Sequence, residues 1–532
     1  MRRACGILLP VFSLPGSYGI GCFSIKAYEF IDTLKRAGQT YWQILPLGPT
    51  GYGDSLYQSF SSFAGNPYFI DLDELVARGL LDAEKLRSMD WGGDDRSVDY
   101  GKLWEHREAV LREAFRAFRR ASEHPEEFPE QPVQDRMSAD AYEEARRKLH
   151  PETGEYYCLY QAIKAAQGGK SWDAWEKPLR LRETAALEAF RKEHSEEIAF
   201  YEWVQVVFHR QWRRLRTYAN EHGIRIIGDM PIYVSRDSAD AWAHPELFQF
   251  DCDARPVKVA GCPPDYFSPD GQLWGNPLYD WEKQKRDGCS WWIQRMEYAF
   301  SVYDFVRVDH FRGFDEYYGI PAKDANAKHG AWEKGPGIEF FQVLKKHFQA
   351  RFPRLPLIAE DLGMMTESVI QLVKDSGFPA MKVLEFAYDS DNRNLYLPHN
   401  YERNCVAYTG THDNEPLMAW IRGQSGDTRL RMIRYQGSEH TPERELYWDC
   451  IRTVMASVAD TVLIPMWDYL GAGAEARINT PSAAAGNWRW RMLSEEFGED
   501  LIWHCGMLAD MYGRERREKE AEQNEAPDKR QV

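Results

Sequence analysis

The sequence predicts an α/β fold class, a (β/α)8 TIM barrel with inserted segments, and three observations lead to it. With 532 residues, of which 43% are hydrophobic, the chain can bury one large core. Eight short apolar runs recur along it, and amphipathic helical patterns lie between several of them. Three of these runs end in acidic residues, as expected where parallel strands deliver side chains to one active-site face.

The eight predicted strands are short runs of aliphatic and aromatic residues. They span residues 4–9, 41–46, 224–229, 304–309, 356–361, 381–386, 405–410 and 461–465. Eight strands that alternate with helices match the strand count of a (β/α)8 barrel.

Helix signals are readable in two of the connections. Residues 24–38 have an amphipathic pattern whose inward face carries Phe30 and Leu34. A second helix is predicted to begin after Thr366 as its N-cap and to stop at Gly377.

The strands are unevenly spaced, which predicts insertions, mainly after the second and third strands. The connection from the second to the third strand is too long for one loop and helix, and its charged, helix-like part predicts a mostly helical inserted subdomain over residues 75–220. Residues 235–292 are rich in Pro, Gly, Asp and aromatic side chains and are predicted to form a lid over the barrel mouth. One catalytic barrel is predicted over residues 1–512, followed by a charged, disordered tail over residues 513–532.

Composition excludes several classes of function. Lys and Arg number 66 against 82 Asp and Glu, and the formal net charge of -16 disfavours binding to nucleic acid or to an anionic membrane. The nine Cys show no C-x-x-C pair and no zinc or disulfide spacing, which favours a reducing, cytoplasmic location. No apolar run approaches the roughly 20 residues of a membrane span. The 19 Trp suit stacking on sugar faces, although large cores use them too.

The run F-V-R-V-D-H-F-R-G, residues 305–313, places Asp309 at a strand end. Arg307 lies two residues earlier on the same strand face, so its guanidinium should stand beside the carboxylate and keep it ionised. A carboxylate held in this way is a candidate nucleophile. A purely structural ion pair is the alternative.

Two further runs end in the same way. L-I-A-E-D-L-G brings Glu360 and Asp361 to a strand end, and A-Y-T-G-T-H-D-N brings His412 and Asp413. Acids from separate strand ends converge in a barrel, which predicts one site rather than three. For H-D-N the alternative is a turn whose side chains cap local backbone groups.

These acids suit glycosyl chemistry with retention of configuration. Two carboxylates about 5 to 5.5 Å apart perform double displacement at an anomeric carbon, and neighbouring fourth and fifth strands suit that short separation. In this hypothesis Asp309 attacks, Glu360 is the acid and base, and Asp413 binds the hydroxyls of the reacting ring with help from His412. Asp229 either supports the nucleophile or ends its strand.

A divalent-metal site is the alternative use of the acids. It would be built from four carboxylates with His310 and His412 as nearby nitrogen ligands. The four carboxylates are those of Asp229, Glu360, Asp361 and Asp413.

The chain resembles the 4-alpha-glucanotransferases of the amylomaltase, or disproportionating-enzyme, type, which are relatives of the alpha-amylase superfamily. The resemblance runs over about residues 5–507. It is carried by seven motifs in order: residues 53–72, 224–233, 263–281, V-R-V-D-H-F-R-G, A-E-D-L-G, T-G-T-H-D-N and residues 479–491.

The resemblance implies Asp309 as nucleophile, Glu360 as acid and base, and Asp413 as transition-state stabiliser, with no bound cofactor or metal. The implied donors are α-1,4-glucans and malto-oligosaccharides, and the implied acceptor is glucose or another malto-oligosaccharide. A monomer or homodimer is expected. The substrate-binding residues predicted with it are Arg307, His310, His412, Asp229 and Tyr57, together with a lid formed by Asp265, Tyr266, Phe267 and Trp274.

The chain departs from the family pattern near the eighth strand. Trp467 stands where Gln is usual, and Ala472 and Ala474 stand where Leu and Ser are common. These changes are expected to alter donor and acceptor preference rather than the reaction. Two other functions stay open at this stage: a glycoside hydrolase that uses the same acids, and a glucan-binding protein on an inactive barrel.

Overall fold

The computed structural model describes residues 3–51, 53–123, 139–264, 269–363, 365–481, 483 and 485–515. Twelve strands lie in these residues. They are β1 (Ala4–Leu8), β2 (Tyr41–Gln43), β3 (Arg225–Pro231), β4 (Lys258–Cys262), β5 (Gln272–Pro277), β6 (Phe305–Asp309), β7 (Glu316–Pro321), β8 (Ala331–Lys334), β9 (Leu357–Ala359), β10 (Ala380–Val383), β11 (Cys405–Tyr408) and β12 (Thr461–Pro465).

Eight of the strands close into a parallel barrel in the order β1, β2, β3, β6, β9, β10, β11, β12. All eight strands predicted from the apolar runs are present, which confirms the (β/α)8 barrel. Their ends differ by a few residues. β3 continues to Pro231, whereas β9 stops at Ala359, because pairing ends where each chain turns into its loop at the barrel mouth.

The helices of the described residues surround the barrel and fill its long connections. They are α1 (Ile25–Arg36), α2 (Leu72–Ala77), α3 (Ala83–Ser88), α4 (Tyr100–Glu123), α5 (Ala139–Arg147), α6 (Cys158–Ala166), α7 (Lys177–Arg180), α8 (Thr184–Glu193), α9 (Ser195–Glu221), α10 (Ala239–Ala243), α11 (Trp281–Arg286), α12 (Ser290–Val302), α13 (Gly337–Phe348), α14 (Glu367–Ser376), α15 (Leu417–Gly423), α16 (Gly426–Gln436), α17 (Leu446–Ala456), α18 (Met466–Tyr469) and α19 (Glu499–Met511). None of these helices is long and apolar enough to span a bilayer.

Both helices read from the sequence are present. α1 buries Phe30 and Leu34 as predicted. The Thr366 side chain accepts the Val369 N–H at the start of α14, and Gly377 ends that helix in the left-handed conformation at φ 71°. Glycine adopts this conformation without a steric penalty, which explains the stop.

Side chains inside the barrel form a core separate from the one beneath the helices. Interior positions come from nearly every strand, and they alternate with positions that face the helices. The interior residues include Ala4, Tyr41, Ile227, Ile358, Met381, Val383, Val406, Tyr408 and Leu463, with Phe305 packed against them. Because side chains two apart share a face, Arg307 and Asp309 follow Phe305 on the interior side of β6.

The connection from β2 to β3 contains α2 to α9. α9 lies against β3 of the barrel. It also contacts the end of α12, where the Trp212 indole N–H donates to the Val302 carbonyl at 3.0 Å. α4 packs on α9 through rings, with Phe115 and Trp203 centroids 5.8 Å apart. The predicted division of residues 75–220 as a subdomain stays a prediction.

A second sheet, which the sequence did not reveal, lies outside the barrel. It is antiparallel, with the order β5, β4, β7, β8. β4 and β5 come from the predicted lid segment, whereas β7 and β8 follow β6. β7 was missed because it begins so soon after the barrel strand, and β8 because its residues are mostly exposed.

Two predicted features fall partly or wholly outside the described residues. Asp265, Tyr266 and Phe267 of the predicted lid lie outside them, as do residues 516–532 of the predicted tail. The predicted start of that tail at residue 513 needs a correction. Arg514 is fully buried and donates to the carbonyls of Met455, Ala459 and Ser457, so the packed chain extends at least to this residue.

A partly buried charge cluster joins the connection between β2 and β3 to the residues after β3. His244 Nε2 lies 2.9 Å from Glu152 Oε2, and its Nδ1 lies 3.6 Å from Glu246 Oε1. Burial alone would lower the pKa of His244, but hydrogen bonds to Glu152 and Glu246 outweigh it and raise the pKa to about 9. The imidazolium therefore stabilises the folded state.

We expect His244→Ala to lower the thermal midpoint by about 2 °C at pH 6, from a loss of about 2 kcal/mol. The folded pKa lies above the unfolded value, so this stabilisation is complete below about pH 6.5 and disappears as the pH rises through about 9. Thermal unfolding of both proteins between pH 6 and pH 10 measures the difference. His347→Ala, which removes an exposed His–Glu pair, is the control. A difference that grows toward pH 10 would contradict the assignment.

Candidate active site

An open cleft of about 910 Å³ lies at the carboxyl ends of the barrel strands. Its lining includes Asp309 from the end of β6, Glu360 from the residue after β9, and Asp413 from the turn after β11. The structure therefore brings the three predicted acids to one cavity. Arg307, His310, His412, Tyr57 and Trp274 line the same cleft.

Asp309 is fixed by an arginine that it shares with a second carboxylate. Arg307 Nη1 lies 2.9 Å from Asp309 Oδ1 and 2.7 Å from Asp229 Oδ2. The strand register places Asp229 beside Arg307, and the i, i+2 spacing places Asp309 on the same face. Burial alone would lower the pKa of Arg307, but Asp229 and Asp309 raise it, so the guanidinium stays charged.

Glu360 is a desolvated carboxyl whose surroundings favour its protonated form. Its Oε2 accepts the His310 N–H at 2.7 Å, and its Oε1 accepts the Leu362 N–H at 2.9 Å. His310 adopts a left-handed conformation, φ 52°, directly after β6. Burial first, and then the charge of Asp309, raise the pKa of Glu360 to about 8 against the opposing effects of Arg307 and the two N–H groups. Glu360 is therefore protonated at neutral pH.

The backbone places Asp309 and Glu360 as neighbours. β6 and β9 are paired in parallel, with Val308 opposite Ala359. Each acid is the next residue along its own strand direction. Adjacent strands lie about 4.7–4.9 Å apart, so the two side chains start from neighbouring positions on the barrel rim.

Asp413 is held from two sides. Its Oδ1 accepts the Asn479 side-chain N–H at 2.6 Å, and its Oδ2 lies 3.4 Å from His412 Nε2. Asn479 begins one of the seven motifs, but no individual role was predicted for it. A contact between residues 66 positions apart has no local sequence signal, so only the fold reveals it.

Tyr57 connects the two halves of the cleft. Its hydroxyl donates to Asp229 Oδ2 at 2.8 Å and lies 2.9 Å from His412 Nε2, and its ring stacks on His412 at 5.3 Å and 11°. Since the tyrosine gives its proton to Asp229, His412 donates through Nε2 to the hydroxyl oxygen. His412 is thereby oriented with its ring beside Asp413.

Asp229 is placed differently from its prediction as a substrate-binding residue. Its side chain is fully buried, and both oxygens bind Arg307 while one also accepts from Tyr57. It does not line the cleft. Burial raises its pKa despite Arg307. Asp229 therefore positions other groups, because its strand continues for two residues beyond it.

The alternative metal site is not supported by the positions of its carboxylates. Asp361 turns away from the cleft, since its Oδ1 accepts the Met381 N–H at 2.7 Å. Asp229 is engaged by Arg307 below the cleft. Within the described residues, no group of three or more His, Cys, Asp or Glu side chains has an arrangement that could hold a metal ion.

Trp274 forms part of the cleft wall on β5. Its indole N–H donates to Gln272 Oε1 at 3.0 Å, and its ring meets the His310 ring edge to face at 5.0 Å. Burial lowers the pKa of His310 to about 4, so this imidazole is neutral at pH 7. The cleft wall beside Asp309 is therefore aromatic and uncharged at this point.

The three departures near the eighth strand do not lie in the cleft wall. Trp467 is buried and packs against Trp490 with ring centroids 6.0 Å apart. Ala472 and Ala474 are not among the lining residues either. These departures therefore lie outside the cleft wall, since α18 directs Trp467 into the core, and their expected effect on donor and acceptor preference stays a prediction.

The family model for 4-alpha-glucanotransferases matches residues 9–495 of the chain. The chain belongs to the 4-alpha-glucanotransferase family. This confirms the resemblance read from the seven motifs.

Relatives in this family are similar over nearly the whole chain. A 4-alpha-glucanotransferase of Thermus thermophilus is 46% identical over 505 residues, 94% of this chain and 97% of that protein. One from Clostridium butyricum is 42% identical over 506 residues, 95% of this chain and 99% of that protein.

Solved structures of amylomaltases share the fold. The amylomaltase from Streptococcus agalactiae in complex with acarbose superimposes with a TM-score of 0.89 at 38% identity, covering 97% of this chain and 100% of that one. The amylomaltase from Corynebacterium glutamicum gives a TM-score of 0.73 at 15% identity, covering 95% of this chain and 75% of that one. The second likeness concerns the fold alone.

We expect the Glu360 carboxyl to titrate near pH 8 in this 4-alpha-glucanotransferase family member. Its raised pKa means that it is protonated below that value and ionises as the pH rises through it. Infrared difference spectra between pH 7 and pH 9 should show the loss of one protonated carboxyl signal that is absent in Glu360→Gln. Glu439→Gln, which changes an exposed carboxyl, should leave the signal in place. An identical spectrum for Glu360→Gln and the native protein would refute the assignment.

Proposed function

We propose that this chain is a 4-alpha-glucanotransferase that transfers a segment of an α-1,4-glucan to the 4-hydroxyl of glucose or of another glucan. The transfer proceeds by double displacement through a covalent glucosyl-Asp309 intermediate. One observation carries the mechanism: Arg307 pairs with Asp309 at 2.9 Å, while the pKa of neighbouring Glu360 is raised to about 8. Asp309, beside the guanidinium, is proposed to be the nucleophile, and protonated Glu360 is proposed to be the acid. The names of the relatives supply the substrate class.

In the first step Asp309 attacks C1 of the donor sugar. The proton of Glu360 goes to the glycosidic oxygen, so the C1–O bond breaks and the leaving glucan departs with a free 4-hydroxyl. In the second step ionised Glu360 removes the proton from the acceptor 4-hydroxyl. That oxygen attacks C1, Asp309 leaves as a carboxylate, and two inversions give net retention.

The position of the two acids favours retention over inversion. They follow directly paired residues of β6 and β9, where strands are about 4.7–4.9 Å apart. Retaining enzymes use a carboxyl separation of about 5–5.5 Å, whereas inverting enzymes need about 6.5–9.5 Å to admit a water molecule. Neighbouring strands therefore suit a direct attack by Asp309.

Asp413 is proposed to stabilise the transition state. The reacting ring flattens as C1 gains positive charge, and hydrogen bonds to its hydroxyls strengthen at that point. Asn479 and His412 hold the Asp413 carboxylate from two sides, so it is pre-oriented toward the cleft. Pre-orientation avoids a reorganisation cost during the reaction.

Transfer also requires a site that favours sugar over water. Water outnumbers a millimolar acceptor by roughly ten-thousand-fold, so efficient transfer requires a preference of about 5–6 kcal/mol for the sugar. An aromatic wall supplies part of it by excluding water and holding the acceptor hydroxyl in line. Trp274, packed on His310 beside the nucleophile, is proposed to be part of that wall.

We expect maltotriose to be converted into a ladder of longer malto-oligosaccharides together with glucose. A hydrolase would yield glucose and maltose alone, and a binding protein on an inactive barrel would yield no products. Asp309→Asn should lower kcat by at least about 10³-fold, because no covalent intermediate forms. Chromatography of the products distinguishes these cases. Glucose and maltose without longer products would rule out the transferase.

We expect Trp274→Ala to lower the ratio of transfer to hydrolysis by about tenfold, which corresponds to about 1.4 kcal/mol. The physical reason is entry of water beside the glucosyl-Asp309 intermediate. The measurement compares longer products with reducing ends released from maltotriose. Trp332→Ala is the matched control, since Trp332 is an exposed indole on β8 at the opposite edge of the same sheet. Equal ratios in Trp274→Ala and the control would remove the role of this wall.

A further inference from the structure

Glu385 is a buried carboxyl at the barrel mouth that has no role in the mechanism above. β10 directs Met381 and Val383 into the barrel interior, and Glu385 lies in the short 3-10 helix, Leu384–Phe386, that follows the strand directly. The residue is only 7% exposed. Its Oε1 has no hydrogen-bond partner among the described residues. A buried polar atom without a partner destabilises the fold, so a specific reason for a carboxyl at this position is required.

The Glu385 carboxyl lies against the turn T-G-T-H-D-N, residues 409–414, which carries Asp413. Its backbone N–H donates to the Thr409 carbonyl at 3.1 Å. A Cβ placed on Gly410 would lie 2.8 Å from Glu385 Oε1, which is closer than such atoms approach in proteins. The carboxyl therefore occupies the space that the glycine leaves open.

The same turn is closed by Asn414, next to this contact. Asn414 Oδ1 accepts the Thr411 N–H at 2.9 Å and the Thr411 hydroxyl at 2.7 Å. A Cβ on Gly410 would also lie 3.3 Å from the Asn414 Cβ, so Glu385, Gly410 and Asn414 form one packed unit. Asp413 lies within the loop that these hydrogen bonds close.

Asp468 binds the turn from the other side of β11, where β12 lies. Its Oδ2 accepts the Thr409 hydroxyl at 2.5 Å, and its Oδ1 accepts the Leu417 N–H at 2.8 Å. Glu385 follows β10 and Asp468 follows β12, the two strands that flank β11. The loop that carries Asp413 therefore contacts one carboxyl on each side, Glu385 and Asp468.

The charges around Glu385 favour its neutral form. The titratable groups that act on it are Asp468, Glu415 and Arg477. Burial first, and then the two acids, raise the pKa of Glu385 well above its usual range, against the opposing charge of Arg477. A hydrogen bond from the Asn414 side chain opposes this rise in pKa, so the carboxyl both fills space and contacts Asn414.

We propose that Glu385 is a positioning residue for Asp413, because its carboxyl fills the space under Gly410 and supports the Asn414 contact that shapes the turn. The inference rests on the proposed function, in which Asp413 acts on the reacting sugar. Truncation would leave a void under the turn and let Asp413 shift. A displacement of about 1 Å near a reacting group can cost about 10²-fold in rate.

The test compares kcat and KM for maltotriose in Glu385→Ala, Glu385→Gln, Gly410→Ala and the double variant Glu385→Ala/Gly410→Ala. We expect Glu385→Ala to lower kcat about tenfold with KM within about twofold, and Glu385→Gln, which keeps the shape without an ionisable group, to stay within about threefold over the whole pH profile. Glu402→Ala, an exposed site before β11, is the control.

The double variant tests whether the effects of Glu385 and Gly410 are coupled because both residues border the same space. Gly410→Ala alone should lower kcat about tenfold because its new methyl meets the carboxyl. In the double variant the methyl enters the void left by Glu385→Ala, so the combined loss should be far smaller than the roughly hundredfold product of independent effects.

Three results would overturn the inference: Glu385→Ala within twofold of the native kcat, Glu385→Gln as impaired as Glu385→Ala, or multiplicative losses in the double variant. Failure of the proposed function is seen separately, in the native protein, as the absence of longer products from maltotriose. Circular dichroism of each variant establishes that it is folded before its rate is compared.

Discussion

The site depends on one guanidinium shared between two carboxylates. Arg307 holds Asp229 inside the barrel and Asp309 at its rim, and all three lie on the interior faces of adjacent strands. One positive charge lies between the two acids, and the buried acid, Asp229, holds the arginine in place from below the rim. Removing either partner of such a buried pair leaves an uncompensated charge, which is far more costly than losing a surface ion pair. Asp309, the proposed nucleophile, is therefore fixed by the barrel itself rather than by a loop.

The two carboxyls proposed to act in catalysis lie in different electrostatic surroundings. Asp309 faces a guanidinium directly, whereas Glu360 is desolvated and lies near the negative charge of Asp309, which together raise the pKa of Glu360. The Tyr57 hydroxyl hydrogen-bonds both Asp229 and His412. It therefore links the Asp229–Arg307 pair, which holds Asp309, to the histidine beside Asp413.

Much of the fold and the three acids could be predicted because the relevant signals are local. Apolar runs define strands, and the alternation of side chains fixes which residues face the interior, so Arg307 beside Asp309 follows from their spacing alone. The position of Asp229 depended on where β3 ends, which the sequence leaves uncertain by two residues. The contact of Asn479 with Asp413 and the second sheet depend on pairings between distant segments that no local pattern encodes. The side-chain direction of Trp467 was likewise set by packing against Trp490 rather than by its neighbours in sequence.

The outer antiparallel sheet limits which segments of this enzyme can be exchanged with those of another barrel. β4 and β5 carry the wall with Trp274, but β4 is hydrogen-bonded to β7, which begins seven residues after Asp309. A hairpin transplanted alone into another barrel would lose that partner and expose unpaired N–H and C=O groups along its edge, a known route to aggregation. Chimeras would need to exchange residues 258–334 as one block. Asp309 and the loop that follows it would then be exchanged together with the wall that carries Trp274.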